Sequence, residues 1–275
     1  MTYSTLLVHL QSGQSNTSLL TAAAQFADRF KAHVIGIAAC QPMMVVSGDG
    51  TICGDVFADD QRQITADLDT AQAEFRGSLN GHGTSLEWRS EITIEAPARF
   101  LALHARSADL IMTGSMPADT FNLSRAANSG SLVMEAGRPV FIAPTEALPM
   151  RFEGALVAWK DTRECRRATA DALPLLQQTS RVTVLEIVAI DDFDAAHVRV
   201  RDVAAWLQRH GVMADGQVER ATGSDVHQLH AAADERDADV IVAGAYGHSR
   251  LREWVIGGVT RDLLLECRRG VLVSH

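Results

Sequence analysis

Closely spaced cysteines, long apolar runs and an excess of positive charge are all missing from this chain of 275 residues. None of its four cysteines forms a C-x-x-C pair, which excludes the common zinc sites and a dense disulfide scaffold. No stretch approaches the roughly 20 apolar residues of a membrane span, and the first residues form no basic leader. A formal charge of −9 with 5% aromatic residues argues against a nucleic-acid surface. We therefore expect a cytoplasmic protein that contacts neither membrane nor nucleic acid.

Motifs for covalent or metal-dependent catalysis are also absent. The sequence has no Gly-x-Ser-x-Gly motif and no Gly-x-x-x-x-Gly-Lys motif, which disfavours a serine hydrolase and a fast P-loop NTPase. His227 and His230 have a spacing that can hold a metal ion on one helix face, but no third ligand is evident. We predict no catalytic residue and no metal site. A redox response through Cys40 or Cys53 is a weaker alternative.

Short apolar runs alternate with amphipathic stretches along the whole chain, which is typical of βαβ units and a parallel sheet. The predicted strands are Leu6–Leu10, His33–Ala38, Leu86–Ile92, Asp109–Thr113, Val140–Ala143, Gly154–Trp159, Arg181–Val188, Val218–Ala221, Asp239–Ala243 and Val271–Val273. The predicted helices are Thr17–Lys31, Val56–Leu79, Ala98–Ala105, Arg163–Leu176, Asp194–His210, Val226–Glu235 and Val259–Cys267. Gln41–Asp55 has no clear period and is predicted as a loop.

The second half of the sequence repeats the first. Ala108–Gly114 matches Ala238–Gly244 at a shift of 130 positions, and Leu6–Leu10 matches Ala155–Trp159 at a shift of 149. The extra length of the first half falls mainly in residues 41–56. The sequence therefore predicts an α/β protein with two tandem Rossmann-like domains, residues 1–148 and 149–275. Each is expected to have a mostly parallel five-stranded sheet flanked by helices.

A glycine-rich connection in the second half is the strongest candidate for a binding site. In open parallel sheets, ligands bind beyond the carboxyl ends of strands where the strand order reverses, here between the first and fourth strands. Glycines in such a loop let backbone N–H groups approach an anion, and the following helix adds positive potential at its N-terminus. The predicted nucleotide-binding residues are Gly244, Gly247, Gly257, Gly258, Val259 and Thr260 on the loop, and Trp159, Lys160 and Asp161 after the first strand.

The motif Gly244-x-x-Gly247, nine residues, then Gly257-Gly258 resembles that of the universal stress protein family. The resemblance extends over nearly the whole chain as a tandem pair of domains. In ATP-binding members the last motif position is usually Ser or Thr, whereas here it is Gly258, with Thr260 two residues further on. The family usually places an Asp after the first strand, near the adenosine, and Lys160 stands there in this sequence, followed by Asp161.

The resemblance implies binding of ATP or a related adenine nucleotide, with or without magnesium, in the second domain. It also implies a stress sensor or regulator that acts on a protein partner still to be identified. Slow ATP hydrolysis follows from the resemblance alone and is kept as an alternative. A dimerisation or partner-docking module that does not bind nucleotide is the other alternative, favoured by the departures at Gly258 and Lys160.

The first half departs further from the motif. At the shifts that align the halves, Gly247 corresponds to Pro117, and Gly257 and Gly258 correspond to Ala126 and Ala127. Proline removes a backbone donor, and alanine adds a Cβ where close approach is needed. Gln11 stands where the family has its Asp. We expect the first domain to be a structural or dimer-forming partner domain.

Three assignments stay open at this stage. Asp161 either contacts magnesium or ribose, or it caps the helix that follows. Val271–Val273 is either an exposed edge that pairs with a second copy in a homodimer, or it pairs with the other half of the same chain. Side chains near the glycines either contact phosphate or are solvated, namely His248, Ser249, Arg250, Arg252 and Arg261.

Overall fold

The computed structural model describes residues 2–43, 54–115, 127–147, 149–189, 192–245 and 268–275. In the first half the strands are β1 (Thr5–His9), β2 (His33–Cys40), β3 (Ser85–Ile92), β4 (Leu110–Gly114) and β5 (Val140–Ala143). The helices of this half are α1 (Thr17–Phe30), α2 (Gly54–Leu79), α3 (Pro97–His104) and α4 (Ser129–Glu135).

The second half repeats the order of elements. Its strands are β6 (Gly154–Ala158), β7 (Arg181–Val188), β8 (Ala214–Arg220), β9 (Val240–Gly244) and β10 (Gly270–Ser274). Its described helices are α5 (Arg163–Asp171), α6 (Leu173–Leu176), α7 (Phe193–Arg209) and α8 (Asp225–Glu235). Within the described ranges, no helix combines the length and the apolarity needed to cross a bilayer.

The ten strands of the described residues belong to one sheet, in the order β3-β2-β1-β4-β5-β10-β9-β6-β7-β8. Each half therefore has the same internal order, with its first strand beside its fourth. Every pairing within a half is parallel. The predicted α/β class with two Rossmann-like halves of five strands each is confirmed. The points at which the strand order reverses lie between β1 and β4 and between β6 and β9.

The two halves join through an antiparallel pairing of their last strands. Val140 lies opposite Val273, and Ile142 lies opposite Val271. The alternative in which Val271–Val273 is an exposed edge is wrong, because β5 of the first half pairs with this strand. The intramolecular alternative is the one realised, and the outer edges of the sheet are β3 and β8.

Helices cover both faces of the sheet, because successive residues of each strand point to opposite faces. One core lies between the sheet and α1, α2, α5, α6 and α7, and it contains Leu6, Val8, Phe141 and Val157. The core on the opposite face lies under α3, α4 and α8 and contains Leu7, Ile35, Ile142 and Ile241. The near-continuous apolar strands of the sequence follow from this burial on two sides.

Helix α2 illustrates how the sequence specifies an element. Of its 26 residues, Ile64, Leu68, Ala71, Phe75 and Leu79 are buried, a spacing of three or four that places them on one side of the helix. The remaining positions are mostly polar and face solvent. The polar stretch with spaced apolar residues thus forms the long helix that was predicted. Most of the preceding Gln41–Asp55 loop lies outside the described residues.

An aspartate at the start of each fourth strand ties that strand to the first strand of its half. Asp109 Oδ2 accepts hydrogen bonds from the backbone N–H groups of Ser4 and Thr5, both at 2.9 Å. Asp239 Oδ2 accepts from Glu153 N at 2.8 Å and from Gly154 N at 3.4 Å. The sequence repeat is therefore also a repeat of tertiary hydrogen bonds.

Three element predictions need correction. The predicted helix Arg163–Leu176 is divided into α5 and α6, because Pro174 has no N–H to donate and crowds the carbonyl four residues earlier. Strand β8 is longer than the predicted Val218–Ala221, since it pairs with β7 along its length. Helix α4 was not predicted at all. The predicted helix Val259–Cys267 lies outside the described residues.

The pairing of β5 with β10 forms the seam between the halves. Packing at this seam predicts a strict requirement for glycine at position 270. A Cβ added to Gly270 would lie 2.5 Å from Cζ of Phe141, which is itself fully buried and packed against Phe26. We expect Gly270→Ala to lower the free energy of unfolding by about 1–3 kcal/mol through overpacking, measured by urea denaturation. Gly223→Ala is the control, because a Cβ there meets nothing within 4 Å. Equal stability of the two variants would contradict this account of the seam.

Candidate functional site

The candidate site of the second half is the crevice at the carboxyl ends of β6 and β9. These strands are neighbours, with Ala158 opposite Ala243. The chain that leaves β6 enters α5, which packs on the face containing Val157. Ala245, which follows β9, packs on the opposite face. Because the two connections diverge to opposite faces, they leave a crevice between them.

Trp159 and Lys160 leave β6 at the wall of this crevice. The Trp159 backbone N–H donates to the Leu185 carbonyl at 2.8 Å, which extends the pairing of β6 with β7 by one residue. The indole Nε1 of Trp159 is buried and has no hydrogen-bond partner among the described residues. Lys160 is exposed, and its ammonium group contacts no carboxylate in the described part of the chain. Within those residues, a buried N–H without an acceptor and a cation without a carboxylate therefore follow one another in sequence at the crevice.

The structure decides one alternative for Asp161. Helix α5 is capped by Thr162, whose Oγ1 accepts a hydrogen bond from Cys165 N at 3.2 Å, so the N-cap interpretation of Asp161 is wrong. The Asp161 carboxylate instead accepts from Nη1 of Arg166 at 3.0 Å. Both side chains are more than half exposed, and such a surface pair contributes at most about 1 kcal/mol.

Gly244 ends β9 where the first turn of α5 approaches the strand most closely. A Cβ at this position would lie 2.5 Å from Cys165 N and 2.6 Å from the Glu164 carbonyl carbon. These are backbone atoms of a helix and cannot move aside like a side chain. Packing of α5 against β9 is therefore sufficient to require glycine at the first position of the glycine-rich loop.

The N-terminus of α5 already carries a buried carboxylate, that of Glu164. Burial alone would raise the pKa of Glu164. Hydrogen bonds from its own backbone N–H and from the Thr162 hydroxyl, with the charge of Arg163, outweigh this effect and hold the pKa below its ordinary value. Arg163 Nη2 lies 3.1 Å from Glu164 Oε1. This helix terminus is therefore occupied by an anion of the chain itself.

The beginning of the glycine-rich loop is held by the C-terminal residues. Ala245 N donates to the Ser274 carbonyl at 2.9 Å, and Nδ1 of His275 lies 3.1 Å from the Ala245 carbonyl oxygen. Ala245 itself is fully buried. The loop thus leaves the sheet from a fixed point.

The structure brings four of the predicted site residues together around the crevice, namely Trp159, Lys160, Asp161 and Gly244. Five others lie outside the described residues, namely Gly247, Gly257, Gly258, Val259 and Thr260, as do His248, Ser249, Arg250, Arg252 and Arg261. Their assignment to the site stays a prediction.

The equivalent crevice of the first half is filled by a side chain of the chain itself. Gln11, at the position of Lys160, is buried, and its Nε2 donates to the Gly114 carbonyl at 3.5 Å. Asn16 holds the same turn, accepting from Gln11 N at 2.8 Å and donating to the carboxylate of Glu74 at 3.1 Å. Beside this turn lies a cavity of about 160 Å³ with Asp67 and Glu74 in its wall. Two carboxylates make this cavity unfavourable for phosphate.

A buried histidine–threonine pair lies between β1 and β4 and was not predicted. Nδ1 of His9 lies 2.9 Å from the Thr113 hydroxyl, and Nε2 is buried with no partner. Burial lowers the pKa of His9 to about 4. The corresponding residues of the second half are Ala158 and Ala243. Comparing the aligned halves could have revealed the pair, since two polar residues replace two alanines at strand ends.

The remaining chemistry-bearing residues do not form a metal site within the described residues. His227 is exposed while His230 is buried, so the two do not share an environment. In the described ranges no group of three or more His, Cys, Asp or Glu side chains is arranged to hold a metal ion. Cys40 is fully buried, and Cys53 lies outside the described residues.

Comparisons with known proteins agree with this architecture. The model of the universal stress protein family matches residues 152–275. A universal stress protein from Archaeoglobus fulgidus DSM 4304 has a similar structure, with a TM-score of 0.76 and 14% identity, over 100% of this chain and 99% of that chain. A functionally unknown protein from Pseudomonas aeruginosa PAO1 has a TM-score of 0.63 and 16% identity, over 99% and 92% of the two chains. No curated protein matches the chain.

The two crevices predict unequal responses to the same substitution. We expect Gly244→Ala to lower the free energy of unfolding by about 1–3 kcal/mol, because the new Cβ overlaps the backbone of α5. Gly114→Ala is the matched control, since its Cβ would meet only the Gln11 side chain, at 3.6 Å, and should change stability by less than about 0.5 kcal/mol. Urea denaturation of both variants measures the difference. A destabilised Gly114→Ala would refute the asymmetry.

His9 predicts a pH dependence of stability. Its pKa is depressed in the folded protein, so the unfolded chain binds more protons between about pH 6.5 and pH 4, and stability falls as the pH falls through that window. The shift corresponds to roughly 3 kcal/mol over the full window. We expect wild type to lose this much more stability than His9→Asn between pH 7 and pH 4, in urea titrations at each pH. Parallel pH profiles would show that His9 does not contribute.

Proposed function

We propose that the protein binds ATP or a related adenine nucleotide in its second half, because residues 152–275 match the model of the universal stress protein family. The phosphates would lie on the backbone of the glycine-rich loop, at Gly244, Gly247, Gly257, Gly258, Val259 and Thr260. The base and ribose would lie toward the end of β6, at Trp159, Lys160 and Asp161. The bound nucleotide would act as a signal of cellular state.

The observation that carries the proposal is the position of the loop in the fold. Gly244-x-x-Gly247 begins where β9 ends, beside the reversal of strand order between β6 and β9. This is where open parallel sheets bind ligands. Hydrogen bonds of Ala245 and His275 fix the start of the loop there, so its backbone donors begin at the crevice wall.

Two groups at the end of β6 are compatible with a polar, anionic ligand. The buried Nε1 of Trp159 has no partner among the described residues, and buried donors without an acceptor are rare because they cost about 1–3 kcal/mol. Lys160 adds a positive charge, without a carboxylate partner in the described ranges, where the family usually has Asp. Asp161 would have to exchange Arg166 for magnesium or ribose, which is a small cost for an exposed ion pair.

The first half, residues 1–148, would then serve as a structural partner domain. Gln11 occupies its crevice, and the cavity beside the β1–α1 turn carries the carboxylates of Asp67 and Glu74. A nucleotide phosphate would meet negative charge there. In this proposal, residues 149–275 bind the ligand and residues 1–148 have a structural role. Nucleotide binding would order the loop after Gly244 and change a surface that a protein partner recognises.

A docking module without nucleotide is the second candidate function, and specific contacts favour it. Packing against α5 already accounts for Gly244, and Glu164 places a negative charge at the terminus of that helix. Gly258 lacks the hydroxyl that ATP-binding family members use. In this case a homodimer would have to form through a surface other than β10, whose edge β5 occupies.

Nucleotide released from purified protein distinguishes the two candidates. We expect mass spectrometry of the denatured wild type to detect an adenine nucleotide, and added ATP with magnesium to raise the melting temperature. Gly247→Val should abolish both signals, because a branched side chain blocks the backbone from approaching phosphate. No released nucleotide and no thermal shift in wild type would rule out the sensor.

Pro117→Val is the control for this experiment, since it alters the corresponding position of the first half and should leave nucleotide binding unchanged. Phosphate release is measured in parallel. Hydrolysis by wild type above the rate of Gly247→Val would assign slow ATPase activity to the second half. The unfolding transition of each variant must match wild type, so that loss of binding is not loss of the fold.

A further inference from the structure

A second polar cavity lies at the seam of the two halves, away from the nucleotide crevice. It measures about 220 Å³ and is bounded by the linker around Pro149 and by the residues that precede β9 and β10. Three of its wall residues are arginines, namely Arg151, Arg268 and Arg269. In a chain with a formal charge of −9, three arginines against one aspartate in the wall of one small cavity form a local positive site.

The three arginines differ in how far the described residues satisfy them. Arg151 and Arg268 have no hydrogen-bond or ion-pair partner in the described part of the chain, and both are exposed. Arg269 is held in place, because its guanidinium donates to the Ala238 carbonyl at 2.5 Å and pairs with Asp234. Its Nε is nevertheless buried without a partner. One fixed arginine and two unpaired ones surround the same space.

The cavity wall also contains the carboxylate of Asp239, and in the described part of the chain no ion pair joins it to an arginine. Asp239 uses Oδ2 to accept the backbone N–H groups of Glu153 and Gly154, the same structural role that Asp109 has in the first half. The arginines at 151 and 268 are not part of this repeat, since the aligned positions hold Thr2 and Gly137. The charge is therefore an addition of the second half and the linker, beyond what the fold requires.

We propose that this seam cavity binds a small phosphate-bearing anion. Guanidinium groups favour phosphate, because their planar N–H donors match its oxygens. The volume is below the roughly 300–1,000 Å³ typical of pockets for drug-sized ligands, so it suits inorganic phosphate, pyrophosphate or a small phosphate ester rather than a whole nucleotide. Bound phosphate would tie the linker to the second half. The proposal does not depend on nucleotide binding at the crevice.

Phosphate titration at constant low ionic strength tests the proposal. We expect inorganic phosphate and pyrophosphate to bind in calorimetry and to raise the melting temperature of wild type by about 3 °C at ten times Kd. The double variant R151Q/R268Q should bind at least about tenfold more weakly, since each substitution removes charged donors. Both side chains are exposed, so the variant should fold with an unchanged melting temperature in the absence of phosphate.

Arg76→Gln is the matched control, because Arg76 is also exposed and has no partner in the described ranges but lies in the last turn of α2. It should bind phosphate like wild type. No binding to wild type, or equal binding to R151Q/R268Q, would overturn the proposal. Phosphate binding that is lost in Gly247→Val but retained in R151Q/R268Q would belong to the glycine-rich loop and would overturn it as well.

Discussion

The antiparallel pairing of β5 with β10 is the contact on which the rest of the molecule depends. It joins two parallel five-stranded sheets into one sheet of ten strands and leaves only β3 and β8 as edges. Because the strands of the two halves run in opposite directions, the two crevices open at opposite ends of the strands. Gly270 has no Cβ, and this permits the close packing of Phe141 at the seam.

The same geometry separates the two proposed ligand sites. The crevice proposed for the nucleotide lies at the carboxyl ends of β6 and β9. The seam cavity lies before the amino ends of β9 and β10. A ligand in the cavity would contact the linker and the second half together. A ligand in the crevice would contact the loop after Gly244. Each can therefore be perturbed by substitutions that leave the other unchanged.

Divergence between the halves is concentrated at the ends of the strands. The aspartates that anchor β4 and β9 make the same hydrogen bonds in both halves, because the sheet requires them. At the crevices the surroundings differ. A Cβ at Gly244 would overlap the backbone of α5, whereas among the described residues a Cβ at Gly114 would meet only the Gln11 side chain, and buried His9 and Thr113 stand where the second half has alanines. The two halves thus share the hydrogen bonds that hold the sheet together, whereas the residues at their crevices differ.

The sequence by itself determined the α/β class, the repeat and most strands and helices, because burial on both faces of a parallel sheet leaves continuous apolar runs that periodicity detects. It also located Trp159, Lys160 and Gly244 at the point of strand-order reversal. Only the tertiary structure decided that β10 pairs within the chain, that Thr162 rather than Asp161 caps α5, and that Arg151 lines the same cavity as Arg268 and Arg269. Those outcomes depend on contacts between residues distant in sequence, which no local pattern records.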